Sequence, residues 1–203
     1  MLKNISNNTI RLLGLLILAS VVLQAILYFQ NTTLGVVESS LRFFSYFTIL
    51  TNLLAGFYLI FYANQKAWTS QNGSLTAVTM YLFMVGLVYQ VALRFVWNPT
   101  GWSRLADEML HSVNPILLLL VWFAKEKTSE LRYQMIPKWL IYPALYLLFI
   151  WIRGAISGYY PYYFIDRNIL SSDDFYINVV VLIILFVMFS FGFIWLGRLK
   201  KSS

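Results

Sequence analysis

Apolar residues dominate six stretches of the chain, and short polar connections separate them. The stretches run near 11 to 29, 41 to 62, 75 to 97, 108 to 124, 139 to 158 and 175 to 197. At ~1.5 Å of rise per residue, each is about long enough to cross ~30 Å of hydrocarbon as a helix. The connections carry turn-forming residues: Asn31-Thr-Thr, Asn64-Gln-Lys, Gln71-Asn-Gly-Ser, Asn98-Pro-Thr-Gly and Ser171-Ser-Asp-Asp. None has room for a second domain. The pattern predicts an all-α integral membrane protein, a single domain of six transmembrane helices over 1–203.

Composition supports that class, with 60% hydrophobic and 11% charged residues. The net charge of +7 has the sign of a nucleic-acid binder, but its distribution follows topology instead. With six helices starting inside, Lys3, Arg11, Lys66, Lys125, Lys127, Arg132, Lys138, Arg198, Lys200 and Lys201 fall on the cytoplasmic side, which is every lysine in the chain. The other side receives Arg42, Arg94, Arg104, Arg153 and Arg167 together with six of the eight acidic residues. Both termini are therefore expected in the cytoplasm of a multi-pass cell-membrane protein, and no nucleic-acid partner is expected. Lys3 and Arg11 before an apolar run have the outline of a signal peptide. No small-x-small cleavage site follows before Gln24, so the run is read as a retained helix. With no cysteine and one histidine, the sequence supports neither a metal site nor a bound cofactor. Trp97, Trp102, Trp122 and Trp139 read as interfacial anchors.

The second stretch is unusual in carrying Ser45, Thr48, Thr51 and Asn52 near one end, where lipid offers them no partner. Thr48 and Asn52 share a helical face. The candidate counterpart is His111, about one turn into the fourth predicted helix, with Asp107 at i−4, Asn114 at i+3 and Pro115 at i+4. Asp107 is placed to hold one tautomer of an imidazole acting as general base. Pro115 removes the donor that would pair with the His111 carbonyl and predicts a kink. Arg94, Arg153 and Asn178 fall in the same layer. An ionisable group inside a span costs several kcal/mol unless paired or hydrated, so these residues line a protein interior or snorkel to the interface. Spacing alone leaves both readings open. It equally leaves open a structural histidine and a threonine bonded to its own helix.

The motifs Tyr46-Phe-Thr48-Ile-Leu-Thr51-Asn52-Leu, His111-Ser-Val-Asn-Pro115 and Gly158-Tyr-Tyr-Pro-Tyr-Tyr-Phe164-Ile-Asp166, in that order, resemble those of bacterial predicted six-transmembrane proteins. These in turn resemble the eukaryotic androgen-induced and androgen-dependent membrane proteins. The resemblance implies an intramembrane threonine hydrolase acting on fatty acid esters of hydroxy fatty acids or a similar membrane lipid ester, with Thr48 as nucleophile and His111 as base. Two positions depart from the family pattern: the proline follows His111 one residue early, and Thr51 stands where an Asn or acidic residue is usual. On this reading Arg94 or Arg153 binds a substrate carboxylate, Asn52 or Asn114 donates to the oxyanion, and Asp107 and Thr51 support the site. The segment after Gly158 roofs it. Two other classes remain open from sequence, a small-solute transporter and a non-enzymatic membrane protein whose polar face joins helices.

Overall fold

The computed structural model describes residues 5–201, which are helical with no strand among them; Lys3 lies outside this range. Helix α1 (Asn7–Asn31) is capped by Ser6, whose Oγ accepts from the Thr9 N–H. A short α2 (Val36–Phe43) and α3 (Phe47–Ala63) follow, and then α4 (Ser74–Val88), which runs on through a π turn at Tyr89–Leu93. Next, α5 (Gly101–Glu108), a second π turn (Met109–Val113) and α6 (Asn114–Lys125) form one unbroken rod. Helices α7 (Ile136–Ser157) and α8 (Ser172–Lys201) complete the bundle. Five of these rods are long and apolar enough to cross a membrane, and α2 with α3 makes a sixth if that bent pair counts as one span.

The second predicted helix, 41 to 62, differs most from expectation: it breaks at Phe44–Tyr46, with a bend of 72° between α2 and α3. No proline or glycine causes the break. Ser45 Oγ instead donates to the Leu41 carbonyl, Tyr46 takes an extended conformation, and Tyr146 of α7 captures the Ser45 carbonyl at 2.8 Å. Thr48 thus becomes the second residue of α3 rather than lying two turns inside a longer helix. The fourth helix begins at Gly101, not near 108, because the polar stretch before Asp107 is helical too, and His111 sits almost three turns inside it. The third ends at Leu93 rather than 97.

Arg11 near the start of α1 donates to Asn64 beyond α3, and Lys200 near the end of α8 donates to the Glu126 carbonyl beyond α6. Both described ends of the chain therefore lie at the same end of the bundle, here the terminal end. Trp122 and Trp139 are buried there rather than anchored at an interface. The Trp122 indole donates to Thr76 Oγ1 at 2.8 Å, and that hydroxyl and the Thr76 N–H both donate to Glu126 Oε2, at 2.7 and 2.8 Å. Glu126 therefore caps the first turn of α4, which satisfies orphan donors and explains why an indole can leave the interface. Trp97 and Trp102 are exposed in or beside the loop between α4 and α5. Along the bundle, α1 and α3 touch through glycines: a Cβ on Gly14 would lie 2.8 Å from the Gly56 carbonyl oxygen.

Candidate active site

At the opposite end, the start of α3 meets the two π turns. A π turn leaves a wide ring, and the one at Met109–Val113 has a neighbour that fits it. Pro115 has no N–H for the His111 carbonyl, so the helix widens just before it instead of continuing α-helical. Gly86 on α4 lets that widened segment approach, since a Cβ there would lie 2.9 Å from the His111 carbonyl oxygen. The Tyr89 ring, at the start of the other π turn, stacks on the His111 imidazole with centroids 4.2 Å apart and planes 11° from parallel.

Thr48 Oγ1 lies 3.2 Å from His111 Nε2. On the other side of the ring, His111 Nδ1 is 3.1 Å from Asp107 Oδ1 and 2.9 Å from the Asp107 carbonyl oxygen. A backbone carbonyl oxygen can only accept, so Nδ1 carries the proton and Nε2 presents a lone pair to the Thr48 hydroxyl. The Tyr89 hydroxyl donates to Asp107 Oδ2 in a short contact, so each carboxylate oxygen has its own donor. Thr48, His111 and Asp107 are almost buried, with 12% of the His111 side chain exposed. A line Tyr89, Asp107, His111, Thr48 is therefore connected by hydrogen bonds from three separate helical rods.

Thr48 is placed to use a second set of groups. As the second residue of α3 its N–H has no acceptor within the helix, and the positive end of the helix dipole lies there. That N–H faces the Tyr162 hydroxyl at 3.4 Å, and the same hydroxyl is 3.5 Å from Thr48 Oγ1. Both are at the long limit of hydrogen bonding. Tyr162 arrives from the aromatic loop after α7, which Asn178 of α8 holds by donating to the Phe164 carbonyl at 2.9 Å. Burial pushes the Tyr162 phenol up to about 12, so it stays protonated and able to donate at neutral pH.

The other residues singled out from sequence take different places. Asn52 donates to the Thr48 and Leu110 carbonyls, and Asn114 donates to Ser20 and to Asn52 Oδ1. Every amide proton of the two asparagines is thus engaged, and neither has a donor left for an oxyanion; they tie α3, α6 and α1 together beneath Thr48. Thr51 faces α7 instead, 3.1 Å from the Tyr142 hydroxyl. Arg94 pairs with Glu108 at 2.5 Å and with Gln90 at 2.8 Å on the exposed side of its helix. Arg153 stacks over Tyr159 and lies 3.6 Å from Glu38. Neither arginine lines a cavity that reaches Thr48. The Glu108 carboxylate holds Arg94, while Arg153 donates to Ser157 Oγ and the Tyr159 carbonyl, both at 3.4 Å.

Two cavities meet at Thr48. One, of about 360 Å³, holds Thr48, His111, Asp107, Tyr89 and Gln24, and joins a wider polar vestibule through Gln24, Tyr28, Trp97 and Asp107. Arg42, stacked on Tyr159 and bonded to Glu38 at 2.6 Å, lines that vestibule. The other is a slot of about 60 Å³ between α4, α7 and α8, almost wholly apolar. Tyr89 and Tyr162 were not legible as site residues in the sequence. Tyr89 reads as one more apolar helix position, while Tyr162 at least lies in the aromatic motif expected to roof the site.

Compared with known proteins, the chain matches no family model, no curated protein and no solved structure.

Proposed function

We propose that the protein is an intramembrane hydrolase of lipid esters, with Thr48 as nucleophile and His111 as general base. One observation carries this reading: a threonine hydroxyl 3.2 Å from the free nitrogen of an imidazole whose other nitrogen is held by a carboxylate, at the wall of a cavity. Thr48 Oγ1 attacks the ester carbonyl as its proton passes to His111 Nε2, and the imidazolium is stabilised by Asp107. The Thr48 N–H and the Tyr162 hydroxyl donate to the oxyanion. When the tetrahedral intermediate collapses, the bond to the alcohol oxygen breaks and His111 returns the proton to that oxygen. Water then attacks the acyl-threonine and gives a proton to His111, and Thr48 leaves as the hydroxyl.

The resemblance to the androgen-induced and androgen-dependent membrane proteins supports the same chemistry and names fatty acid esters of hydroxy fatty acids as the first substrates to try. The lysine distribution supports a multi-pass cell-membrane protein of six spans with both termini cytoplasmic; on that topology the site faces the outer leaflet.

The test is labelling of the purified protein by a fluorophosphonate probe, beside Thr48→Ala and His111→Ala. The expected outcome is labelling of wild type that falls by at least about 10³-fold in both variants while they stay monodisperse. An unlabelled wild type, or Thr48→Ala that labels equally, overturns the reading.

A further inference from the structure

The two cavities at Thr48 are not equivalent, and their difference assigns the two halves of an ester. The larger contains His111, Asp107 and Gln24 and opens to a polar vestibule. The smaller shares Thr48, Leu93 and Tyr162 with it but does not reach His111. Met84, Val88, Pro143, Leu147, Leu182 and Phe186 form the body of its wall.

In the reaction proposed above, His111 must return its proton to the alcohol oxygen as that bond breaks. The alcohol half therefore lies on the His111 side of Thr48, in the larger cavity, and the water for deacylation arrives from the same wet side. The carbonyl carbon, once bonded to Thr48 Oγ1, has one remaining substituent to place. We infer that the acyl chain occupies the apolar slot between α4, α7 and α8, and that Phe186 and Leu182 of α8 set the acyl length the protein accepts. This inference rests on the hydrolase reading. The slot offers no polar partner that an alcohol half bearing a hydroxyl or carboxylate would need, whereas burial of each methylene there favours the transition state by about fourfold. Phe186 lines the slot and is buried against Phe47, so its ring is the bulkiest fixed wall from α8 that an acyl chain there would meet.

The test is kcat/KM for the full chain in detergent on 4-methylumbelliferyl esters, with the alcohol constant and the acyl group varied from acetyl to palmitoyl. A second series holds an acetyl group and lengthens an aliphatic alcohol. In wild type, the acyl profile is expected to rise steeply over the first few carbons and then level or fall. Phe186→Ala and Leu182→Ala are each expected to move the levelling point to longer acyl chains, raising the long-to-short ratio by about 15- to 60-fold, roughly two to three methylenes' worth. Phe186→Trp is expected to move it the other way, and the alcohol profile is expected to hold its shape in all three. An active wild type whose acyl profile is unmoved by these variants, or variants that shift the alcohol profile instead, overturns the assignment and leaves the hydrolase reading standing. A wild type inert toward every ester in both series overturns both.

Discussion

The two ends of the bundle are built from the same kinds of residue to opposite effect. At the terminal end, polar groups close on one another: Glu126, Thr76 and Trp122 saturate the start of α4, and Tyr58 pairs with Ser74 and the Thr69 carbonyl. Helices there are regular and the indole is fully buried. At the Thr48 end the helices depart from regularity three times, at the break before α3 and at both π turns; both ends carry a cavity, of about 360 Å³ at Thr48 and about 350 Å³ beside Glu126 and Ser74, so the backbone is what differs. Regular helices satisfy their own backbone, so they pack but present little. Breaking or widening one exposes N–H groups and re-aims side chains, which is what a reactive threonine needs. Each of the three departures contributes residues to the larger cavity at Thr48: Phe43 and Tyr46 at the break, Tyr89 and Leu93 from one π turn, Leu110 and His111 from the other.

Substitutions at the two ends sharpen the contrast. The largest effect on stability is expected at the terminal end: Trp122→Ala removes a fully buried indole and leaves Thr76 without its donor, costing about 3–5 kcal/mol, read as a lowered midpoint of unfolding in detergent. A change of less than about 1 kcal/mol would show that the clamp is not a stabilising centre. At the Thr48 end the expectation reverses. Tyr162→Phe keeps the ring and its stacking on Phe164 but removes the hydroxyl proposed as an oxyanion donor, so on the hydrolase reading ester turnover should fall about 10²- to 10³-fold with little change in the unfolding midpoint. Turnover within about threefold of wild type would remove Tyr162 from the mechanism.

The smallest effect concerns Glu126, whose carboxyl burial holds above the usual range. A raised acid binds its proton more tightly in the folded state than in the unfolded one. Its contribution to stability is therefore full below the unfolded value of about 4.3 and is lost as pH climbs through the higher folded value. Glu126→Gln is expected to flatten the unfolding midpoint against pH in the window between those two values, without altering ester turnover at neutral pH. An unchanged slope would mean that Glu126 titrates alike in both states.

Much of this architecture was legible in the primary structure. Long apolar runs can satisfy their backbone in lipid only as helices, so the all-helical class and the approximate places of the spans follow from hydropathy. The pairing of Thr48 with His111 could be suspected because polar groups within apolar runs need partners and these two are placed toward the same end. Their contact could not be derived, because it depends on which helices are neighbours.

What the tertiary structure alone decided lies in the side-chain partners. Ser45 through Phe47 carry no breaker, yet the chain turns there because Tyr146, a hundred residues later, takes the Ser45 carbonyl. Asn52 and Asn114 have the chemistry of oxyanion donors, but their protons go to two carbonyls, to Ser20 and from Asn114 to Asn52, while the N–H left without a helical acceptor beside Thr48 belongs to a helix N-terminus that exists only because of that turn. Arg94 and Arg153 were expected at the substrate, but Arg94 pairs with Glu108 and Arg153 stacks on Tyr159, and neither lines the cavities at Thr48. Hydrophobic patterning is a property of each segment and survives in the linear chain. A hydrogen bond has two ends, and where the second end comes from a distant segment, only the folded bundle determines which donor meets which acceptor.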